Sequence, residues 1–257
     1  MTERTLPIQD PAPVVNPAQA NERLIVALDV PTIEQARMLV EQLNGLVSFF
    51  KIGLHLHLVP GLNDFIRKLI ENGKKVFVDF KYNDVDATVE KAVEQAAKRG
   101  ITFVTIHGNG STIRAAIRGR GDGGLPKILL VTLLTSLDAV DIRDLGYRTI
   151  SVKELVLQRA KMALDAGCDG VIASGQEAQA IRQLARNQQL LIVSPGIRPR
   201  NTSTDDHKRP SSPTDAIEAG ADYLVVGRPI IQASKPRQAA ERIRDEMQAA
   251  FQKHSER

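Results

Sequence analysis

Short apolar runs recur along the chain, separated by longer stretches in which apolar positions return every three or four residues. The runs cover 24–29, 47–53, 75–81, 102–107, 127–134, 169–174, 190–194 and 223–227. Several are rich in Val and Ile and apolar at nearly every position, as strands covered on both faces are, so they predict a parallel sheet sheathed by helices. Helical patterns at 33–43, 61–72, 88–99 and 152–166 lie between them. Gly73, Gly100, Gly167 and Gly220 fall where such helices would stop, and glycine tolerates the left-handed backbone of a helix C-terminus. Eight strand–helix units in one α/β domain predict a closed (β/α)8 (TIM) barrel over 23–257. An open doubly wound sheet would call for a glycine-rich turn after the first strand, and Ala27-Leu28-Asp29-Val30-Pro31 is not one.

Residues 1–22, with Pro7, Pro11, Pro13 and Pro17 among scattered polar residues, read as a flexible arm outside the fold, without the charged-then-apolar order of a secretory signal. GRGDGG (119–124) breaks the pattern before the fifth strand and reads as a mobile surface loop, and 235–253 reads as a closing helix.

Composition narrows the class. A 257-residue chain with a mild net charge of +4, no basic tract and few aromatics does not favour nucleic-acid binding, whereas a small anionic ligand suits it. No apolar run reaches the roughly 18 residues of a membrane span. A single cysteine, Cys168, excludes an internal disulfide and suits a reducing cytosol; its place after Gly167 reads as packing rather than a nucleophile. His55, His57, His107, His207 and His254 show no metal-ligand spacing, and no GxSxG elbow is present.

The chemistry lies where charge interrupts the apolar runs. Asp29 ends the first strand, Lys51 lies near the end of the second, Asp79 and Lys81 end the third, His107 ends the fourth and Arg198 follows the seventh. In a barrel these ends converge on one face, where active sites are built. Asp79 and Lys81, two apart, point the same way in a strand, with Asp84 in the loop beyond and Lys51 on the neighbouring strand. Alternating carboxylates and ammonium groups hold one another charged and form a fixed electrostatic field. The bland alternative is a buried salt-bridge network closing the barrel, and buried ion pairs are poor stability devices. SPGIRP (194–199) and VVGRPI (225–230) follow the seventh and end the eighth strand, the usual phosphate site of this architecture, with Gly196 and Gly227 admitting an anion to the backbone and Arg228 adding donors.

These motifs carry a resemblance. ALD (27–29), FKIG (50–53), DFKYNDVDAT (79–88), LLTS (133–136), SPGIRP and GADYLVVGRPI make the chain similar to the orotidine 5'-phosphate decarboxylase family over about 23–245. The D-x-K-x-x-D core is shared with a wider sugar-phosphate decarboxylase and aldolase superfamily; Lys51, Thr88 and LLTS favour the orotidylate branch. The resemblance implies decarboxylation of orotidine 5'-monophosphate to UMP in de novo pyrimidine biosynthesis, without cofactor or metal, in a cytoplasmic homodimer with shared sites. Lys81 would deliver a proton to C6, Asp79 would face the departing carboxylate, and Lys51 and Asp84 would complete the charged tetrad. Asp84 and Thr88 would serve the neighbouring subunit. Asp29 would bind ribose, Thr135 and Ser136 the pyrimidine edge, and Arg198, Gly227 and Arg228 the phosphate. Asn83, Val85, Asp86 and Ala87 depart from the family pattern, and His207 in DDHKRP stands where a family Gln is expected, as a phosphate or pyrimidine contact. Two other readings stay open: a metal-dependent sugar-phosphate decarboxylase, aldolase or isomerase on the same barrel, and a phosphate-ligand binding protein without catalysis.

Overall fold

The computed structural model of the protein describes residues 20–186, 188–199 and 209–255. Eight parallel strands close into a barrel in chain order: β1 (Leu24–Ala27), β2 (Phe49–Ile52), β3 (Lys75–Tyr82), β4 (Phe103–Ile106), β5 (Lys127–Val131), β6 (Gly170–Ile172), β7 (Leu191–Ser194) and β8 (Tyr223–Val226), with β8 pairing back onto β1. The helices are α1 (Ala20–Arg23), α2 (Ile33–Gln42), α3 (Leu62–Glu71), α4 (Asp86–Lys98), α5 (Gly110–Arg120), α6 (Ala139–Asp144), α7 (Val152–Asp165), α8 (Gly175–Ala185), α9 (Pro213–Glu218), α10 (Arg228–Ile231) and α11 (Pro236–Ser255). The barrel stands where the pattern predicts it, and α2, α3, α4, α7 and α11 match the helical stretches read from the sequence. The short α6, α9 and α10 have too few turns to display a period.

Two apolar layers explain why the strands read as continuous hydrophobic runs. Outward side chains such as Leu24, Val26, Phe50, Val76 and Val104 pack under the helices. Inward ones (Ile25, Ala27, Phe49, Phe77, Phe103, Leu129, Val193 and Val225) fill the barrel. Phe103 sits among three rings at the centre, its centroid 4.9 Å from Phe49, 5.9 Å from Phe77 and 5.2 Å from Tyr223. This aromatic plug is the floor of whatever lies at the strand C-termini. Because side chains alternate along a strand, the inward position two beyond each plug residue belongs to the next layer up. Above Ala27, Phe49, Phe77 and Phe103 those positions are Asp29, Lys51, Asp79 and Thr105.

Two expectations need correction. GRGDGG is not a surface loop throughout: Gly119 and Arg120 complete α5, and a 3-10 turn takes Gly121–Gly123. Gly119 is helical and buried because α5 crosses α4 there so closely that a Cβ would run into the carbonyl oxygen of Glu90. Arg120 pairs with Asp169, which also accepts the Ile128 N–H at 2.9 Å and so ties α5 to β5. Glycine there serves close packing, which a reading of glycine as a breaker overlooks. The proline-rich arm is predicted over 1–22, but Ala20, Asn21 and Glu22 form α1 with Arg23; Ala20 is buried and its N–H donates to Gln248 Oε1 on α11 at 3.3 Å. The rest of the arm lies outside the described residues.

Candidate active site

The charged layer is built by strand register. Lys51 on β2 lies between two carboxylates, its Nζ 3.3 Å from Asp29 Oδ1 after β1 and 3.4 Å from Asp79 Oδ2 on β3. Asp79 Oδ1 then meets Lys81 Nζ at 3.0 Å. The result is an alternating row, Asp29, Lys51, Asp79, Lys81, across three adjacent strands. Lys51 and Asp79 keep only 11% and 15% of their side-chain surface exposed, whereas Lys81 and Asp29 keep 30% and 32% and so reach the open end. Breaking a buried pair of this kind costs about 3–5 kcal/mol, because one charge is left uncompensated. Burial by itself would push the Asp79 carboxyl up; the charges of Lys51 and Lys81, with hydrogen bonds from Lys81 and Thr105, outweigh it and hold Asp79 below the usual carboxylate range.

Asp79 and Lys81 meet through an irregular strand. The β3–β4 register passes from Val78↔Val104 directly to Tyr82↔Ile106, so three residues of β3 face one residue of β4. Within this bulge Lys81 takes φ of 50°, a left-handed conformation that costs an ordinary side chain about 1–2 kcal/mol. Strain of this kind collects at functional sites. His107, after β4, is half-buried; burial first, then the charges of Arg159 and Lys81, hold it below the ordinary histidine range.

The strand ends surround a cavity of about 480 Å³. Asp29, Lys51, Asp79 and Lys81 line it, together with Thr135, Ser136, Arg198, Gly227 and Arg228. Arg198 is buried, and its N–H donates to Ser211 O at 2.9 Å, which pins the SPGIRP turn to the segment before α9. Nine of the twelve residues expected from sequence therefore share one cavity. Asp84 and Thr88 do not line it: both are exposed, and Asp84 Oδ1 accepts the Val85 N–H at 2.7 Å. His207 lies outside the described residues. His55 lines the rim with Nδ1 3.9 Å from Asp29, and His57 packs against Phe80 at 4.6 Å. Cys168 is buried, and burial pushes its thiol up to about 11. Among the described residues, no group of three or more His, Cys, Asp or Glu side chains is placed to hold a metal ion, and no helix is long and apolar enough to cross a membrane.

Sequence reasoning misses three contributors. Gly53 makes room for the Asp29–Lys51 contact, since a Cβ there would stand 2.8 Å from Asp29 Oδ1 and 2.9 Å from Lys51 Nζ. Arg209 is buried, donates to Glu177 Oε1 at 2.6 Å and to Leu134 O at 3.1 Å, and so steadies the segment carrying Thr135 and Ser136. Its signal was available in DDHKRP, where attention falls on His207 instead. Thr105, fully buried, binds both Asp79 and Lys81. Asp86, a departure without an evident role in the sequence, opens α4 and accepts from Ser111 Oγ at 3.1 Å, linking the first turns of α4 and α5. A carboxylate also suits the positive end of a helix dipole.

Known proteins agree with this geometry. The sequence profile of the orotidine 5'-phosphate decarboxylase / HUMPS family matches residues 22–243. The chain is 52% identical over 232 residues to an orotidine 5'-phosphate decarboxylase of Nitrobacter winogradskyi, covering 90% of this chain and 95% of that protein. It is 46% identical over 236 residues to the Methylococcus capsulatus protein of that name, covering 91% and 96%. The crystal structure of orotidine 5'-phosphate decarboxylase from Lactobacillus acidophilus superposes with a TM-score of 0.76 at 35% identity, covering 88% of this chain and 99% of that one. A closed barrel, a charged row at its C-terminal face and near full-length similarity converge on one assignment: this chain belongs to the orotidine 5'-phosphate decarboxylase / HUMPS family.

Proposed function

We propose that Lys81 is the proton donor in the decarboxylation of orotidine 5'-monophosphate to UMP, the step of pyrimidine biosynthesis that this chain performs as a member of its family. The observation that carries the proposal is the 3.0 Å contact of Lys81 Nζ with Asp79 at the open end of the charged row. Asp79 faces the substrate carboxylate, so carbon dioxide leaves a position where negative charge is opposed. As the C6–carboxylate bond breaks, its electron pair stays on C6 and takes a proton from the Lys81 ammonium. UMP results, and the neutral amine regains a proton from water. A cation already fixed beside the developing carbanion stabilises it with little reorganisation.

Asp29 binds the ribose hydroxyls, Thr135 and Ser136 read the pyrimidine edge, and Arg198, Gly227 and Arg228 grip the phosphate, with His207 as a further phosphate or pyrimidine contact. Binding energy from the phosphate end then helps organise the reacting end. Asp84 and Thr88 complete the site of a neighbouring copy in a homodimer; their exposure at the same end of the barrel as the cavity supports this. A small-molecule biosynthetic role and a lone buried thiol fit a cytoplasmic location.

The test is pyrimidine absorbance after mixing the protein with orotidylate. Lys81→Ala is expected to lower kcat by at least about 10³-fold while UMP still binds. A Lys81→Ala enzyme turning over within tenfold of the parent overturns the assignment of the donor.

A further inference from the structure

We infer that Thr105 is a positioning residue for this reaction: its hydroxyl locks the Lys81 backbone and the Asp79 carboxylate into one unit, so that the ammonium is delivered at a fixed place. The inference rests on the roles proposed for Lys81 and Asp79.

The reasoning begins with the sheet. Between the paired positions Val78↔Val104 and Tyr82↔Ile106, β3 supplies Asp79, Phe80 and Lys81, whereas β4 supplies Thr105 alone. A ladder interrupted in this way leaves backbone groups of the longer strand without their usual partners. Thr105 fills one of these gaps with its side chain. Its Oγ1 lies 2.9 Å from the Lys81 backbone N and 2.9 Å from Asp79 Oδ1. The direction of both bonds follows from chemistry. A backbone N–H can only donate, so the hydroxyl oxygen accepts from Lys81; an ionised carboxylate can only accept, so the hydroxyl proton goes to Asp79.

With the 3.0 Å contact from Lys81 Nζ to the same Asp79 oxygen, a closed circuit forms: Lys81 backbone, Thr105 hydroxyl, Asp79 carboxylate, Lys81 ammonium. Both ends of Lys81 are thus referred to one fully buried side chain. The circuit accounts for how Lys81 keeps its left-handed φ of 50° in a strand, and why Asp79 presents Oδ1 to Lys81 and Oδ2 to Lys51. Thr105 stands inward, two residues beyond Phe103, so the aromatic plug holds it from below. A polar side chain with no exposed surface in the run Phe103-Val104-Thr105-Ile106 would be costly without such partners.

Thr105→Val keeps the shape and removes both bonds. Thr105→Ser keeps the hydroxyl and removes a methyl. Steady-state kinetics with orotidylate, UMP binding by calorimetry and kcat against pH distinguish this role from simple packing. Expected is a fall in kcat of about 10- to 100-fold for Thr105→Val, with the UMP dissociation constant within about threefold of the parent. The acid limb of kcat should move to higher pH, because Asp79 loses a hydrogen bond that favours its charged form. Thr105→Ser should recover most of the lost turnover. If Thr105→Val does not fold, Thr105→Cys, of similar volume and weaker hydrogen bonding, replaces it under the same criteria. A folded Val or Cys variant with kcat within about twofold of the parent and an unmoved acid limb overturns the inference, as does a loss of UMP binding equal to the loss of kcat. Lys81→Ala, run beside it, separates the two proposals: an active Lys81→Ala removes the donor, whereas an inactive Lys81→Ala with an intact Thr105→Val removes only the role of Thr105.

Discussion

Lys51 Nζ on β2 and Asp29 Oδ1, just beyond the end of β1, meet at 3.3 Å directly over a residue that has no side chain. That residue is Gly53. Its Cβ, were there one, would fall within 3 Å of both charged groups. Since both neighbours are side-chain ends, they would yield before the backbone did. Gly53→Ala is therefore expected to push Lys51 and Asp29 apart and lower kcat/KM by about 10- to 100-fold, with thermal stability changed by no more than about 1 kcal/mol. Parallel kinetics and thermal melts check it. An enzyme that melts far lower and keeps its kcat/KM would show that Gly53 serves the fold instead.

Asp79 gives a prediction whose sign can be worked out. Burial opposes its charge, and only the cations and hydrogen bonds around it reverse that preference. In the parent its folded pKa lies below that of the unfolded chain, near 4. Its contribution to stability is accordingly complete above that value and is lost as pH falls through the lowered pKa. Replacing Lys51 and Lys81 together by Met leaves burial dominant, so the folded pKa rises above the unfolded one. The contribution then has the opposite sense: present at low pH, lost as pH rises. The difference in melting temperature between parent and Lys51→Met/Lys81→Met is expected to shrink from pH 8 to pH 5. A gap that is constant or widens on acidification contradicts the electrostatic account of the row.

The barrel and the charged row were legible because both follow from period-two patterning. Asp29, Lys51 and Asp79 each stand two beyond an inward apolar residue, so register alone stacks them above the plug. Lys81 is different. A regular strand would bring it to the same face as Asp79, and the two do meet, but across a bulge and a left-handed residue that no pattern announces. Thr105 was hidden for a related reason: a β-branched residue inside an apolar run is ordinary for a strand, and only the three-against-one register gives its hydroxyl work. Gly53, Gly119 and Asp86 owe their roles to chain segments distant or differently oriented in sequence: Asp29, Glu90 and Ser111 respectively. Close approach is a tertiary fact, and glycine in a single sequence looks the same whether it turns the chain or admits a neighbour.

Gly119 tests that distinction away from the site. A side chain there meets backbone of α4 rather than a mobile tip, so relief requires α4 and α5 to separate. Gly119→Val is expected to destabilise the fold by about 1–3 kcal/mol, about 2–4 °C in melting temperature for each kcal/mol in a chain of this size. Substituting Gly123, which has open space around it, should change stability by less than about 1 kcal/mol. Equal melts for the two variants would return Gly119 to the status of a surface loop residue.

Cys168 follows from burial. Its Sγ donates to Ile128 O at 3.1 Å, and the thiol, pushed up to about 11, stays protonated at pH 8. The thiolate is the reactive form, so a disulfide reagent is expected to label the native protein only at the rate of unfolding and to label it fully in denaturant. Rapid stoichiometric labelling of native protein would place Cys168 at an accessible site.

The shared site proposed for Asp84 and Thr88 yields the sharpest test of assembly. Neither residue lines the cavity of its own chain, and Asp84 accepts the N–H of its neighbour Val85. If Asp84 acts in a neighbour's cavity, Lys81→Ala and Asp84→Asn inactivate different halves of one composite site. In a hybrid dimer, one site then carries both defects and the other carries neither. Two inactive homodimers, mixed and allowed to exchange subunits, should therefore regain activity, reaching about a quarter of the parent value when half the dimers are hybrids with one working site each. If both residues acted within a single chain, every site in the mixture would carry one defect and activity would stay at the level of the separate variants. Recovery on mixing, rising with exchange time and absent for Lys81→Ala mixed with Asp79→Asn, whose residues share one chain's row, is the expected outcome.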